Sequence, residues 1–243
     1  VFTASTFHDE AHFAASVFNR PAVFSKSLFG GVARFAGVVT KQSAMFSNVR
    51  FASAADFSGA TFTQYEDFGG ARFDGDATFS RASFIALPRT SYEDMDFPQR
   101  ANFDEVTFAQ DADFSKATFT AFVGFRRVTF EGAASFNGTS FEGAYFPGAT
   151  FGQRADFRQT SFMYVKPSFE DLEERLQTAR FSAQADPQDY LFEARLESPH
   201  GFSCGTATLL NRTFVLPLGT VLYDPDSWDE EKQEYTHISE PAQ

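Results

Sequence analysis

Three places in the 243-residue sequence carry residue types that could do chemistry. His8 and His12 lie four apart, a spacing that on a helix would let two imidazoles share a metal ion. Gly201-Phe202-Ser203-Cys204-Gly205 fits the Gly-x-Ser-x-Gly elbow, which needs a parallel strand before it, a helix after it and acid–base partners downstream. Cys204 with His200 is a thiol–imidazole pair on paper. Downstream of the elbow only His237 is available, in a polar stretch. With no doubly wound sheet expected, the pentad reads as an ordinary loop, and a hydrolase using Ser203 or Cys204 is the least favoured alternative. His8 and His12 are expected as solvated side chains flanking a corner. No catalytic residue, cofactor or metal site is assigned.

The elements that must position these residues follow from phenylalanine. The chain has 34 Phe against 1 Trp, 3 Met and 7 Tyr. One residue type used this often indicates one environment repeated many times, because an ordinary core mixes shapes to fill irregular space. From Phe2 to Phe162 the spacing alternates five and six residues, as in Phe57, Phe62, Phe68, Phe73, Phe79, Phe84 and again in Phe103, Phe108, Phe114, Phe119. Thr40 fills one gap in phase, and Tyr92 fills a second after a two-residue insertion. Only Phe122 falls off this lattice.

Two residues before each centre stands a small residue, and a polar one lies between, as in Ala55-Asp56-Phe57. Inward, outward, inward is strand alternation. Turn formers follow, as in Ser58-Gly59 and Asn137-Gly138. A period near 5.5 would scatter the rings around a helix. Three-residue strands joined by corners of one sense must instead coil.

Four sides close a coil of 22 residues, and thirty sides give about 7.5 coils, roughly 36 Å of rod at ~4.8 Å per coil. The expected fold is an all-β solenoid, a right-handed quadrilateral β-helix over residues 1–162. The six-residue sides should raise two ridges on diagonal edges and make the square slightly rectangular. Three five-residue sides in succession from Phe136 to Phe151 should shift a ridge near Tyr145. Thr40 should leave a small void or a hydrogen-bonded hydroxyl.

Small residue, polar residue, central Phe, two turn residues: this pattern resembles the pentapeptide-repeat family over about two thirds of the chain. The resemblance implies a non-enzymatic, protein-binding or scaffolding rod. It also implies an alternative, since some members are acidic rods that imitate duplex DNA and modulate type II topoisomerases such as gyrase, giving inhibitor resistance. For that role the outward Asp56, Asp67, Asp113 and Asp156 are the candidates to align along one edge. Leu87, Pro88 and Arg89, in the insertion before Tyr92, are the candidate contact loop, set against a merely tolerated insertion.

After the rod, Ser168–Asp171 reads as a capping box for a helix through Leu172, Leu176 and Ala179, and Asp186-Pro187 opens a second through Tyr190 and Leu196. Residues 163–200 are thus an expected helical cap, and residues 201–243 short strands, turning at Pro217–Gly219, followed by an acidic tail. The last twenty residues hold seven acids and one base and read as solvated.

Net charge is −12, of which only −3 belongs to residues 1–162. This opposes direct binding to nucleic acid or anionic membrane. A single cysteine excludes an intrachain disulfide, and a cytoplasmic location is expected. A protein partner is expected, with the C-terminal region as candidate homodimer contact. The chain starts at Val1 inside a repeat, so a preceding segment removed from it is an open alternative.

Overall fold

The computed structural model describes residues 1–85, 101–170 and 178–243. The chain is a solenoid of very short parallel strands on four faces. Face one carries the column Phe24, Phe46, Phe68, Phe103, Phe125 and Phe146, face two Phe29, Phe51, Phe73, Phe108, Phe130 and Phe151, face three Phe35, Phe57, Phe79, Phe114, Phe136 and Phe157, and face four Phe18, Thr40, Phe62, Phe84, Phe119 and Phe141. Thr6 pairs with Leu28, Leu28 with Arg50 and Arg50 with Arg72, each 22 residues on. Among the described residues the face-two sheet has 9 strands, ending in Val221–Tyr223, and the face-three sheet has 8. Among the described residues no helix is long and apolar enough to cross a membrane.

The lattice Phe are the core. Within a column the rings stack, Phe51 on Phe73 at 4.6 Å and Phe57 on Phe79 at 4.9 Å. Rings of faces one and three meet edge to face across the axis, as Phe46 with Phe57 at 5.4 Å. Rings of faces two and four close the sides, Phe73 against Phe79 and Phe62 against Phe68. The two geometries are those the ring quadrupole favours, and each buried ring contributes about 1.5–3 kcal/mol of transfer free energy. From Phe24 onward the residue two before each lattice Phe is buried beside the stack among the described residues, as Ala55, Ala77 and Ala112.

The five-residue sides turn at a β-turn closed by a bond such as Ser27 N–H to the Phe24 carbonyl at 3.1 Å. The residue two after Phe takes positive φ whether it is glycine (Gly59, +61°) or not (Lys26, +63°; Arg81, +58°). The third residue of a type II turn requires this, and side chains other than glycine adopt it at a cost. The six-residue sides fall between faces two and three and between faces four and one, which gives the two diagonal ridges expected from the spacing.

Three expectations are corrected. First, Arg72 pairs with Thr107 and Glu66 with Ala101, 35 residues on instead of 22. The side that follows Phe84 is therefore Ala101–Phe103, and the lattice places assigned to Tyr92 and Phe97 are taken by Phe103 and Phe108. This removes half a coil from the 7.5 expected for residues 1–162.

Second, the described part of residues 163–200 contains no α-helix. Arg180–Ser182 and Tyr190–Leu191 are strands on faces two and three, and Pro187–Asp189 is a single 3-10 turn capped by Asp186. The Asp186-Pro187 start signal was right and its continuation was not. Phe169, Phe181 and Phe192 extend their columns on Phe146, Phe151 and Phe157 at 5.1, 4.8 and 5.5 Å, and that burial overrides local helix preference. Asp171, Leu172 and Leu176 lie outside the described residues.

Third, the acidic C-terminal stretch is folded. Cys204–Leu209 and Arg212–Pro217 form an antiparallel hairpin whose Ala207, Leu209, Phe214 and Leu216 are buried. Phe202 packs edge-on against Phe157 and Phe162 and closes the axis of the coil. Beyond Tyr223, Trp228–Asp229 pairs with Glu234–Tyr235, and Ala242 returns to bond Thr220. Tyr235 lies 4.4 Å from Tyr223, and the Arg180 guanidinium sits over the Tyr235 ring at 5.0 Å. Packing on the ninth face-two strand fixes this segment despite its charge.

Candidate interaction surface

The two ridges differ in chemistry. Between faces two and three the outward residues are polar and acidic, including Glu10, Asp74, Asp76, Asp111 and Glu131. Arg50 and Arg72 each donate to Asp74 at 2.6 Å. Burial pushes the Asp74 carboxyl up, but the two guanidiniums outweigh it and hold it below the usual carboxylate range. Glu10 is likewise held low by Arg34, with His12 beside it at 3.3 Å.

Between faces four and one the ridge is polar in its first coils, at Asn19-Arg20 and Lys41-Gln42, and carries apolar and aromatic side chains from Tyr65 onward. Tyr65, Ile85, Met163 and Tyr164 are exposed there, Tyr164 at 66%. The register jump falls at this same corner, between Phe84 on face four and Ala101 on face one. Leu87, Pro88, Arg89 and Tyr92 lie outside the described residues.

Past the insertion the corner straightens. Thr118–Gly124 and Ser140–Tyr145 run as continuous strands from face four to face one, with a register shift between Phe119 and Phe122. The six-residue side above a five-residue one causes that shift; the ridge expected to move near Tyr145 stays at its corner and is one residue shorter there. Phe122, the ring off the lattice, lies over Gly143 and stacks on Tyr145 at 5.7 Å. A Cβ at residue 143 would come within 2.5 Å of the Phe122 ring and 2.8 Å of Val165. The external aromatic cluster is therefore as closely fitted as the core.

The four candidate aspartates do not form one stripe. Asp56, Asp113 and Asp156 share face three, alternating with Thr78 and Ser135, while Asp67 stands on face one beside Met45 and Asn102. Two coils, roughly 10 Å, separate successive carboxylates of the column. Each accepts the N–H two residues on: Ser58 at 2.9 Å, Ser115 at 2.8 Å, Arg158 at 3.0 Å and, for Asp67, Gly69 at 2.9 Å. These are Asx turns that set the corner after each side. Asp156 is further bound by Arg154 at 3.1 Å and Arg158 at 2.7 Å. Burial raises its pKa, yet the arginine hydrogen bonds bring it below the ordinary value.

Asp104 contrasts with these. Burial lifts its carboxyl above the usual range, and the Arg126 backbone N–H, at 2.8 Å, compensates only in part.

The residues singled out for chemistry are not brought together as a catalytic set. His8 sits in a corner, and His12 points outward on face three toward Glu10. Ser203 directly precedes the antiparallel hairpin, and Cys204 is its first residue, so the strand–turn–helix of a nucleophile elbow is not what this pentad forms. Burial pushes the Cys204 thiol up, away from the reactive thiolate. His237 pairs with Asp224 at 3.3 Å. Among the described residues no group of three His, Cys, Asp or Glu is placed to hold a metal ion.

The sequence reading missed the aromatic ridge. Tyr65, Ile85, Phe122, Met163 and Tyr164 all follow a face-four centre, and only rows aligned on Phe62, Phe84, Phe119 and Phe162 put them in neighbouring columns.

Comparison with known families agrees with this geometry. The family model for pentapeptide repeats matches residues 41–83, 93–138 and 114–161, in 9 copies. The chain carries pentapeptide repeats over these residues, just under half of its length. Neither the curated proteins nor the solved structures give a match.

Proposed function

We propose that this protein is a non-enzymatic binding rod that engages a protein partner along the edge between faces four and one. The observation that carries this reading is the coincidence, on one edge, of the register jump from 22 to 35 residues with the exposed Tyr65, Ile85, Met163 and Tyr164. Among the described residues the coil interior is filled by stacked rings such as Phe57, Phe79 and Phe114, which supports a reading in which the surface acts. Aromatic side chains on a stiff support make strong contacts because little is lost in ordering them.

The test is capture of partners from a lysate by the intact chain and by a variant lacking thirteen residues between Ile85 and Ala101, which restores the 22-residue spacing. We expect the variant to melt as the parent does and to lose the captured protein. Equal capture by both would overturn the assignment of this edge.

A second reading, modulation of a type II topoisomerase by duplex imitation, draws on the Asp56, Asp113 and Asp156 column and on the family resemblance. Against it stand the spacing, roughly 10 Å where a duplex carries a charge per ~1.7 Å, and the arginines on Asp156. A gyrase supercoiling assay with and without inhibitor decides: protection that disappears on Asp56→Asn with Asp113→Asn would establish this reading, and no effect of the protein would remove it.

A further inference from the structure

No further inference is drawn: the strongest candidate, the apolar end of the first coil around Phe2, Phe7, Phe13 and Phe18, carries nothing because nothing in the structure shows what covers it.

Discussion

Phe68 and Phe79 stand on opposite faces of the coil and meet edge to face across its axis, centroids 5.3 Å apart and planes at 89°. Each also stacks on rings above and below, Phe68 on Phe46 and Phe103, Phe79 on Phe57 and Phe114. Truncating one of them removes contacts in three directions, and the β-coil around it cannot collapse inward. Phe79→Ala should cost about 3–5 kcal/mol, read as a lowered midpoint in urea unfolding. A loss under about 1 kcal/mol would mean that the columns are not the main source of stability.

Thr40 sits in a Phe column, 2% exposed, and its hydroxyl has no hydrogen-bond partner. Of the two alternatives raised by the sequence, the hydrogen-bonded hydroxyl is not the one found. Thr40→Val keeps the shape and removes the buried polar atom, so it should stabilise by about 1 kcal/mol. The same unfolding experiment reads the gain, and a loss would show that the hydroxyl is solvated.

Asp156 provides a pH test. Its folded pKa is depressed, so the stability it contributes is present above the unfolded value, about 3.9, and is lost as pH falls through the folded value. Its arginines are nearly half exposed, and the screened contribution is on the order of 1 kcal/mol. Asp156→Asn should lower the melting temperature at pH 7 and leave it unchanged near the acid limit of the titration.

Asp104 has the opposite sign. Its folded pKa is raised, so its favourable contribution is complete below the unfolded value and is lost as pH rises through the folded one. Asp104→Asn retains an acceptor for the Arg126 N–H and should raise the melting temperature at pH 7 with no gain in acid. A destabilised variant at pH 7 would show that the charge itself holds the turn.

The hairpin turn at Leu210–Asn211 has positive φ at both residues, +52° and +57°. A two-residue hairpin loop asks for Asn or Gly there, and leucine is a poor fit. Leu210→Asn should raise the melting temperature slightly, by the equivalent of about 1 kcal/mol. No gain would mean that the half-exposed leucine makes a compensating contact.

The coil was legible in the sequence because its signal is redundant. Each Phe column is written many times, and the alternation of five and six residues by itself implies the two ridges. What was lost is what is written once. Residues 86–100 contain Tyr92 and Phe97 at spacings that imitate the lattice, and a local count cannot tell them from Phe103 and Phe108. The pairing of Arg72 with Thr107 can. Phe169, Phe181 and Phe192 belong to the columns, but the long connections between them hide the period, and helix-capping signals fill the gap. The candidate surface was half visible: the sequence marks an insertion after Phe84, as two residues where the register jumps by thirteen, and its aromatic neighbours follow the face-four centres, whose spacing changes at that jump.

Phe202 and the hairpin behind it have a consequence for size. A stacked coil has no inherent stopping point, since each turn is a template for the next. By laying a ring across the bore and turning antiparallel strands over the last layer, the chain writes a terminus into its own sequence. Length at that end is thereby an encoded quantity, as definite as the composition of any turn within.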